Sequence, residues 1–238
     1  MSAPHAATVD TAEQTAVVRT DRVTCCFGVG AATVVAVRGV SVTVAPHARI
    51  ALTGPSGSGK STLLHLLTGL QQPTAGAISW PGLERSGMLA PERVGMIFQG
   101  RSLLPTLDVV ENVRLPLLFA GATETEATAR AGAALERVGI AELAGALPDA
   151  LSGGQAQRVA VARVLAGAPR LILADEPTGQ LDHAAAATVI DVLIEAANAL
   201  GAALIVSTHD PAIARRLPVE WTMRDGRLRP PTPTQEGR

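Results

Sequence analysis

The chain contains the sequence Gly54-Pro55-Ser56-Gly57-Ser58-Gly59-Lys60-Ser61-Thr62, which follows the apolar run 49–53 and precedes a helical pattern over 60–70. It matches the pattern G-x-x-x-x-G-K-[ST] at every specified position. Glycines let the main chain curl until its N–H groups surround phosphate oxygens, and the following helix turns its positive end toward the anion. Lys60 is predicted to reach the β- and γ-phosphates, and the Ser61 hydroxyl to bind Mg²⁺. The segment therefore predicts a nucleoside triphosphate site between a strand and a helix.

The composition indicates a folded chain in which lysine is nearly absent. Of the 238 residues, 47% are hydrophobic and 17% are charged, and the net charge is −1. This length fits one large domain, or a core with one inserted subdomain. The near-neutral charge gives no sign of a bulk nucleic-acid binder, and no nucleic-acid partner is expected. Lysine occurs once among 20 basic residues, at Lys60, where a guanidinium fork would not replace a compact ammonium group.

Cysteine usage and hydropathy indicate a protein of the reducing cytosol. Cys25 and Cys26 are adjacent, which suits neither a disulfide framework nor a metal site. The first 16 residues lack a basic start followed by an apolar run, so no signal peptide is expected. No stretch is predicted to reach the roughly 18 apolar residues of a membrane span. A role at the membrane is therefore expected to come through a partner.

Strand and helix patterns alternate and predict an α/β fold around a mostly parallel sheet. The predicted strands are 34–37, 40–44, 49–53, 94–98, 171–174 and 203–207, and the predicted helices are 60–70, 109–120 with an interruption at Pro116, 123–138, 152–166, 184–200 and 211–216. The helices of about 100–157 are expected to form an inserted subdomain within a domain of 17–228. Residues 1–16 and 229–238 are expected to be a flexible arm and tail.

Two acids end a compact apolar strand, in the sequence Leu171-Ile-Leu-Ala-Asp175-Glu176. The carboxyl edge of a parallel sheet is where such side chains meet a phosphate loop. Asp175 is predicted to hold Mg²⁺ through water, and Glu176 to accept a proton from the attacking water. An isolated acid pair after a strand is more often a solvated turn, so this prediction depends on the glycine-rich loop upstream.

The sequence Leu151-Ser152-Gly153-Gly154-Gln155 is, in physical terms, a capped helix start whose glycines expose N–H groups to an anion. At this point the chain, over about 17–228, resembles the ABC ATPase family. The resemblance implies a P-loop NTPase fold with a RecA-like sheet, an inserted helical subdomain and an antiparallel β part near the N-terminus. It also implies that Ser152, Gly153, Gly154 and Gln155 bind the γ-phosphate of ATP held by a second nucleotide-binding subunit.

Further elements of that family follow in order. Gln99 resembles the glutamine that contacts Mg²⁺ or water and senses a membrane partner, Asp182 belongs to a segment like the loop that crosses the dimer, and His209 resembles the histidine near the γ-phosphate. Phe27 is the candidate for stacking on adenine, since the chain has no tyrosine. A lone phenylalanine or histidine is otherwise a core or exposed side chain.

Local sequences resemble the group of macrolide-export, lipoprotein-release and cell-division ATPases. They are 36–42, 111–118 and 174–182, the last with Gln180 where that group usually has asparagine. The resemblance implies ATP and Mg²⁺ as ligands, a homodimer, and a four-span permease with a large extracytoplasmic region. The chain would then be cytoplasmic and peripheral on the inner face of the membrane.

Three other classes are weighed against this interpretation. A soluble ABC ATPase of DNA repair or translation would usually bring a coiled coil, a zinc hook or two cassettes. A GTPase needs the lysine of an N-K-x-D motif, and Lys60 is the only lysine. A degenerate, non-hydrolysing subunit would not be expected to keep Lys60, Asp175, Glu176 and His209.

Overall fold

The computed structural model of the protein describes residues 16–85, 88–100, 102–179 and 181–229. Most of the predicted arm and tail, and the departure at Gln180, lie outside these ranges. The inner end of each predicted flexible segment belongs to the fold. Ala16 is buried and its carbonyl accepts a hydrogen bond from the Gly82 N–H at 3.0 Å, and Arg229 ends a strand.

The described residues form eleven strands and six α-helices, and strands alternate with single helices from β8 to β10. The strands are β1 (Val18–Phe27), β2 (Val34–Val44), β3 (Arg49–Thr53), β4 (Ala75–Ser79), β5 (Glu84–Arg85), β6 (Met88–Leu89), β7 (Val94–Ile97), β8 (Leu171–Asp175), β9 (Ala203–Thr208), β10 (Val219–Arg224) and β11 (Arg227–Arg229). The helices are α1 (Lys60–Leu67), α2 (Val109–Phe119), α3 (Glu124–Arg137), α4 (Gly153–Leu165), α5 (His183–Leu200) and α6 (Pro211–Ala214).

Six strands form the main sheet, in the order β11-β10-β3-β9-β8-β7. All neighbours are parallel except β10 and β11. The register places Thr53 beside Thr208, and Asp175 beside Ser207. The loops that follow β3, β8 and β9 therefore leave the same edge of the sheet, where ligands bind in open α/β folds.

The neighbouring interior strands β8 and β9 are buried throughout, because both faces of the sheet are covered. Leu171 and Leu173 pack in one core cluster with Leu63 of α1. The alternate residues of β8, Ile172 and Ala174, pack in a second cluster with residues of α4 and α5. Because side chains alternate between two covered faces, every residue of the run 171–174 is apolar.

A second sheet is antiparallel, in the order β2-β1-β4. It confirms the antiparallel β part near the N-terminus, although β1 and β4 were not predicted as strands. The predicted break between 37 and 40 is wrong, because β2 continues from Val34 to Val44. Gly39, with φ of 59°, lies at a shift in register between β1 and β2, so the extra residue is absorbed as a bulge.

Helices α1 and α2 differ from the predictions, and α6 ends at Ala214 where the prediction had 216. Helix α1 ends at Leu67, one turn early, since Gly69 takes φ of 77° and its N–H bonds to the Leu66 carbonyl. Helix α2 passes through Pro116 without a break. Proline has a helical φ and removes only one backbone donor, and α2 is held by packing on α3 and α4.

The prediction that no stretch reaches the length of a membrane span is wrong for helix α5. Its 18 residues are long and apolar enough to cross a bilayer by length and composition. In the fold, Val189, Ile190 and Leu193 are buried, and α5 packs against α4 and β9. A core helix passes the same test, and these contacts explain its apolar composition.

Candidate functional site

The glycine-rich loop leaves β3 at Thr53 and enters α1 at Lys60. Gly54, Gly57 and Gly59 have φ of 143°, 74° and 101°, values that side chains with a Cβ rarely adopt. A Cβ on Gly54 would lie 2.1 Å from the Met223 carbonyl oxygen. The loop is therefore both tightly curved and packed against the backbone of Met223. The first turn of α1 has N–H groups without partners inside the helix, and these can bind an anion.

We expect Gly59→Ala to disrupt the loop by steric overlap. A Cβ at Gly59 would lie 2.1 Å from the Ala36 carbonyl oxygen, and the left-handed φ adds about 1–3 kcal/mol of strain. Gly121→Ala is the matched control, because Gly121 has φ of 89° and open space around its Cβ position. In urea denaturation, Gly59→Ala should lower the free energy of unfolding by more than the control, and only Gly59→Ala should lose ATP binding. Equal effects of both variants would show that strain, and not contact with Ala36, constrains the loop.

Lys60 is buried under the loop that precedes it. Its Nζ donates hydrogen bonds to the carbonyl oxygens of Gly54 at 2.8 Å and Pro55 at 3.2 Å. The same Nζ lies 3.6 Å from Oε1 of Glu176. The ammonium group is thus held at the junction of the glycine-rich loop and the acid pair.

The acid pair lies at the carboxyl end of β8, and its two side chains have different surroundings. Asp175 is buried, with 5% of its surface exposed. Glu176 follows in left-handed backbone with φ of 43°. Its Oε1 faces Lys60, and its Oε2 lies 2.7 Å from Nδ1 of His209, whose side chain is 65% exposed. The second acid therefore links the loops that follow β3, β8 and β9.

Lys60, Glu176 and His209 line one open pocket of about 590 Å³, which we call the loop pocket, and Asp175 is not among the described residues that line it. The predicted residues at its wall are Ser56, Gly57, Gly59, Lys60, Ser61, Thr62, Gln99, Glu176 and His209, and Ala36 is an additional one. Residues from five separate parts of the chain are brought together there, because β2, β3, β7, β8 and β9 all direct their following loops or ends to this side.

Gln99 follows β7, and the segment after it is tied to α4. The guanidinium of Arg163 donates to the carbonyl oxygen and to the hydroxyl of Ser102, both at 2.7 Å. Burial lowers the pKa of Arg163 from its ordinary value, although the group stays charged near neutral pH. The segment that carries Gln99 is thereby attached to the helix that begins at the LSGGQ sequence.

Ser152 caps α4 as predicted. Its Oγ accepts from the Gln155 N–H at 3.3 Å, and Oε1 of Gln155 accepts from the Ser152 N–H at 2.8 Å, which is a capping box. All four residues from Ser152 to Gln155 line a second hollow of about 310 Å³, the LSGGQ hollow, which is also lined by Asp182. None of these four residues is among the described residues that line the loop pocket.

Phe27 ends β1 and is 44% exposed. It is not among the described residues that line the loop pocket, so its role in stacking on adenine stays a prediction.

Comparison with known proteins gives the family. The profile described as ABC transporter matches residues 37–179. This chain belongs to the ABC transporter family. The lipoprotein-releasing system ATP-binding protein LolD of Legionella pneumophila (strain Lens) is 41% identical to it over 206 residues, which are 84% of this chain and 91% of LolD. The macrolide export ATP-binding/permease protein MacB of Rhodopseudomonas palustris is 42% identical over 207 residues, which are 84% of this chain but 32% of MacB.

Solved ABC cassettes have the same fold. The dimeric structure of MJ0796, a bacterial ABC transporter cassette, superposes with a TM-score of 0.82 at 31% identity, covering 92% of this chain and 100% of that chain. The dimeric post-hydrolysis state of MJ0796 bound to ADP and Pi has a TM-score of 0.80 at 30% identity, with the same coverage. The chain is accordingly an ATP-binding and ATP-hydrolysing ABC subunit, and the prediction of the export and lipoprotein-release group is confirmed.

Three predicted metal-binding residues carry oxygen atoms that suit a hard cation. The Ser61 hydroxyl, the Asp175 carboxylate and the Gln99 amide are the ligand types that Mg²⁺ accepts. No group of three His, Cys, Asp or Glu side chains that could hold a metal ion occurs in the described part of the chain. A magnesium ion here would therefore be held together with the phosphates of ATP, as is usual for this ion.

Ser207 lies next to Asp175 and Glu176, and the sequence did not predict a role for it. Its hydroxyl contacts both acids from the neighbouring strand β9. A polar residue at the end of the predicted strand 203–207, directly after the apolar residues 203–206, was the signal that could have identified it.

Proposed function

We propose that this chain drives an integral membrane permease by closing onto a second nucleotide-binding subunit around bound ATP. One observation carries the proposal. The loop pocket with Lys60 and Glu176 and the LSGGQ hollow have no described lining residue in common, and only Gly153 of the four LSGGQ residues shares a third cavity, of about 280 Å³, with Glu176. A head-to-tail homodimer would place the LSGGQ residues of each copy against the pocket of the other. The anion-binding end of α4 would then complete the site.

In the closed state, the residues of the pocket have distinct proposed roles. Glu176 accepts a proton from the attacking water, and His209, within 2.7 Å of its carboxylate, orients it. Lys60 and the N–H groups of the loop stabilise charge on the phosphates. Mg²⁺, held by Ser61 and, through water, by Asp175 and Gln99, would supply further neutralisation of that charge. Phe27 is proposed to stack on adenine from the end of β1.

The proposed location is the inner face of the cell membrane, reached through the permease. The relatives named for a lipoprotein-releasing system and for macrolide export support a partner of the export or force-transmitting kind. The net charge of −1 supports the absence of nucleic acid as a ligand. Among the described residues the fold provides one membrane-length helix, α5, and one side of it, with Val189, Ile190 and Leu193, is buried in the core.

Affinity capture from detergent-solubilised membranes of the native cell tests this proposal. Glu176→Gln with ATP should recover an integral membrane protein in stoichiometric amount, because the closed dimer accumulates. Lys60→Ala under identical conditions is the control for nucleotide dependence, and addition of the captured membrane protein in lipid nanodiscs should stimulate the wild-type ATPase. Recovery of only soluble proteins or nucleic acid would reject the permease and leave the ATPase intact.

A further inference from the structure

Ser207 lies at the centre of the main sheet, next to the acid pair. Strand β9 is placed between β3, which leads to the glycine-rich loop, and β8, which leads to Asp175. Ser207 pairs with Asp175 in the parallel register and has no exposed surface. Two residues earlier on β9, Ile205 packs in the core cluster of α1, and side chains alternate along a strand. Ser207 therefore belongs to the face of the sheet that α1 covers.

The Ser207 hydroxyl makes two contacts in this position. It donates a hydrogen bond to Oδ1 of Asp175 at 2.6 Å. It accepts one from the backbone N–H of Glu176 at 2.9 Å, and the Ser207 carbonyl oxygen is a second acceptor for that N–H at 3.2 Å. A single buried hydroxyl thus touches the side chain of the first acid and the backbone of the second.

We propose that Ser207 is a positioning residue that sets the direction of both acids at the end of β8. Hydrogen bonds to the groups behind a ligand orient that ligand, and their loss commonly costs 10- to 100-fold in metal affinity or activity. The short bond to Oδ1 holds the Asp175 carboxylate in one rotamer. The paired acceptors for the Glu176 N–H hold the turn in which Glu176 points its carboxylate toward Lys60 and His209.

The backbone at Glu176 gives a physical reason for the second contact. A non-glycine residue with φ of 43° is strained, and such a conformation persists only when surrounding groups determine it. The hydroxyl and carbonyl of Ser207 provide that constraint on the N–H side. Without the hydroxyl, the weaker 3.2 Å contact to the carbonyl remains, and buried Asp175 loses a donor.

The inference rests on the proposed metal role of Asp175, and Ser207→Ala tests it. We expect kcat to fall by about 10- to 100-fold and the Mg²⁺ concentration for half-maximal activity to rise. ATP affinity measured without Mg²⁺ should stay within about twofold, because the glycine-rich loop is unchanged. A readout independent of turnover is Mn²⁺ binding with a non-hydrolysable ATP analogue, followed by loss of the free-ion EPR signal, in which the Mn²⁺ Kd should rise by about tenfold.

Two further variants separate positioning from packing. Ser207→Thr keeps the hydroxyl but adds a methyl group in a filled site, so it should lower thermal stability while keeping most of kcat and Mn²⁺ affinity. Thr20→Val is the matched control, because the buried Thr20 hydroxyl also donates one bond, to the Val40 carbonyl, and accepts one, from the Val42 N–H. Thr20 lies in the antiparallel sheet, so this variant should lose stability and keep wild-type kcat and Mn²⁺ Kd.

The outcomes are distinguishable when Asp175→Asn is measured in parallel. Loss of Mn²⁺ affinity in Asp175→Asn with wild-type values in Ser207→Ala would overturn the positioning role alone. Wild-type Mn²⁺ affinity in both would overturn the metal role of Asp175 itself. If kcat in Ser207→Ala and Ser207→Thr fell in proportion to their loss of stability, the hydroxyl would be a packing group and the inference would be wrong.

Discussion

Glu176→Gln is expected to bind ATP with nearly wild-type affinity and to hydrolyse it about 10²–10⁴-fold more slowly, the usual range for a general base. The amide keeps the size of the carboxylate but cannot accept a proton from water. It can still contact His209 and Lys60, which lie 2.7 Å and 3.6 Å from the two carboxylate oxygens of Glu176. The pocket should therefore stay folded and able to bind nucleotide.

Single-turnover hydrolysis and equilibrium ATP binding measure these two properties separately. Glu195→Gln, at an exposed position on α5, is the control for the same chemical change away from the pocket. Single-turnover hydrolysis at the wild-type rate in Glu176→Gln would remove Glu176 from the role of general base.

Lys60→Ala is expected to lower ATP affinity by about 100-fold or more. Each hydrogen bond to a charged group contributes about 1.5–3 kcal/mol, and 1.4 kcal/mol corresponds to a factor of ten in affinity, so the loss of two phosphate contacts gives this range. The ammonium group also holds the Gly54 and Pro55 carbonyl oxygens at 2.8 and 3.2 Å, so some disorder of the loop adds to the loss. Isothermal titration with ATP measures the effect.

Lys60→Arg shows whether the shape of the cation matters as well as its charge. The planar guanidinium is larger than the ammonium and forms hydrogen bonds in a fixed fork, while the lysine side chain is 6% exposed. We expect weak ATP binding in this variant too, with thermal melting as the check on folding. Wild-type ATP affinity in Lys60→Ala would contradict the phosphate role.

The parts of the fold that were predicted correctly depend on neighbours in sequence. Ser152 caps α4 as predicted, because its side chain and the Gln155 N–H that it caps are three residues apart. The runs 171–174 and 203–207 are strands because both faces of the central sheet are covered. Long-range pairing could not be predicted in this way, because β1 and β4 are strands only through the pairing of β1 with both β2 and β4.

The order of residues along the chain was sufficient to identify the glycine-rich loop, the acid pair and the LSGGQ helix start. Each is a short segment whose chemistry depends on residues within about one turn or one strand. Tertiary structure alone decided which of these segments meet. Ser207 reaches Asp175 at 2.6 Å across 32 positions of sequence, and the LSGGQ hollow has no described lining residue in common with the loop pocket. Those relations follow from the strand order and from packing of helices on the two faces of the sheet, which no local pattern encodes.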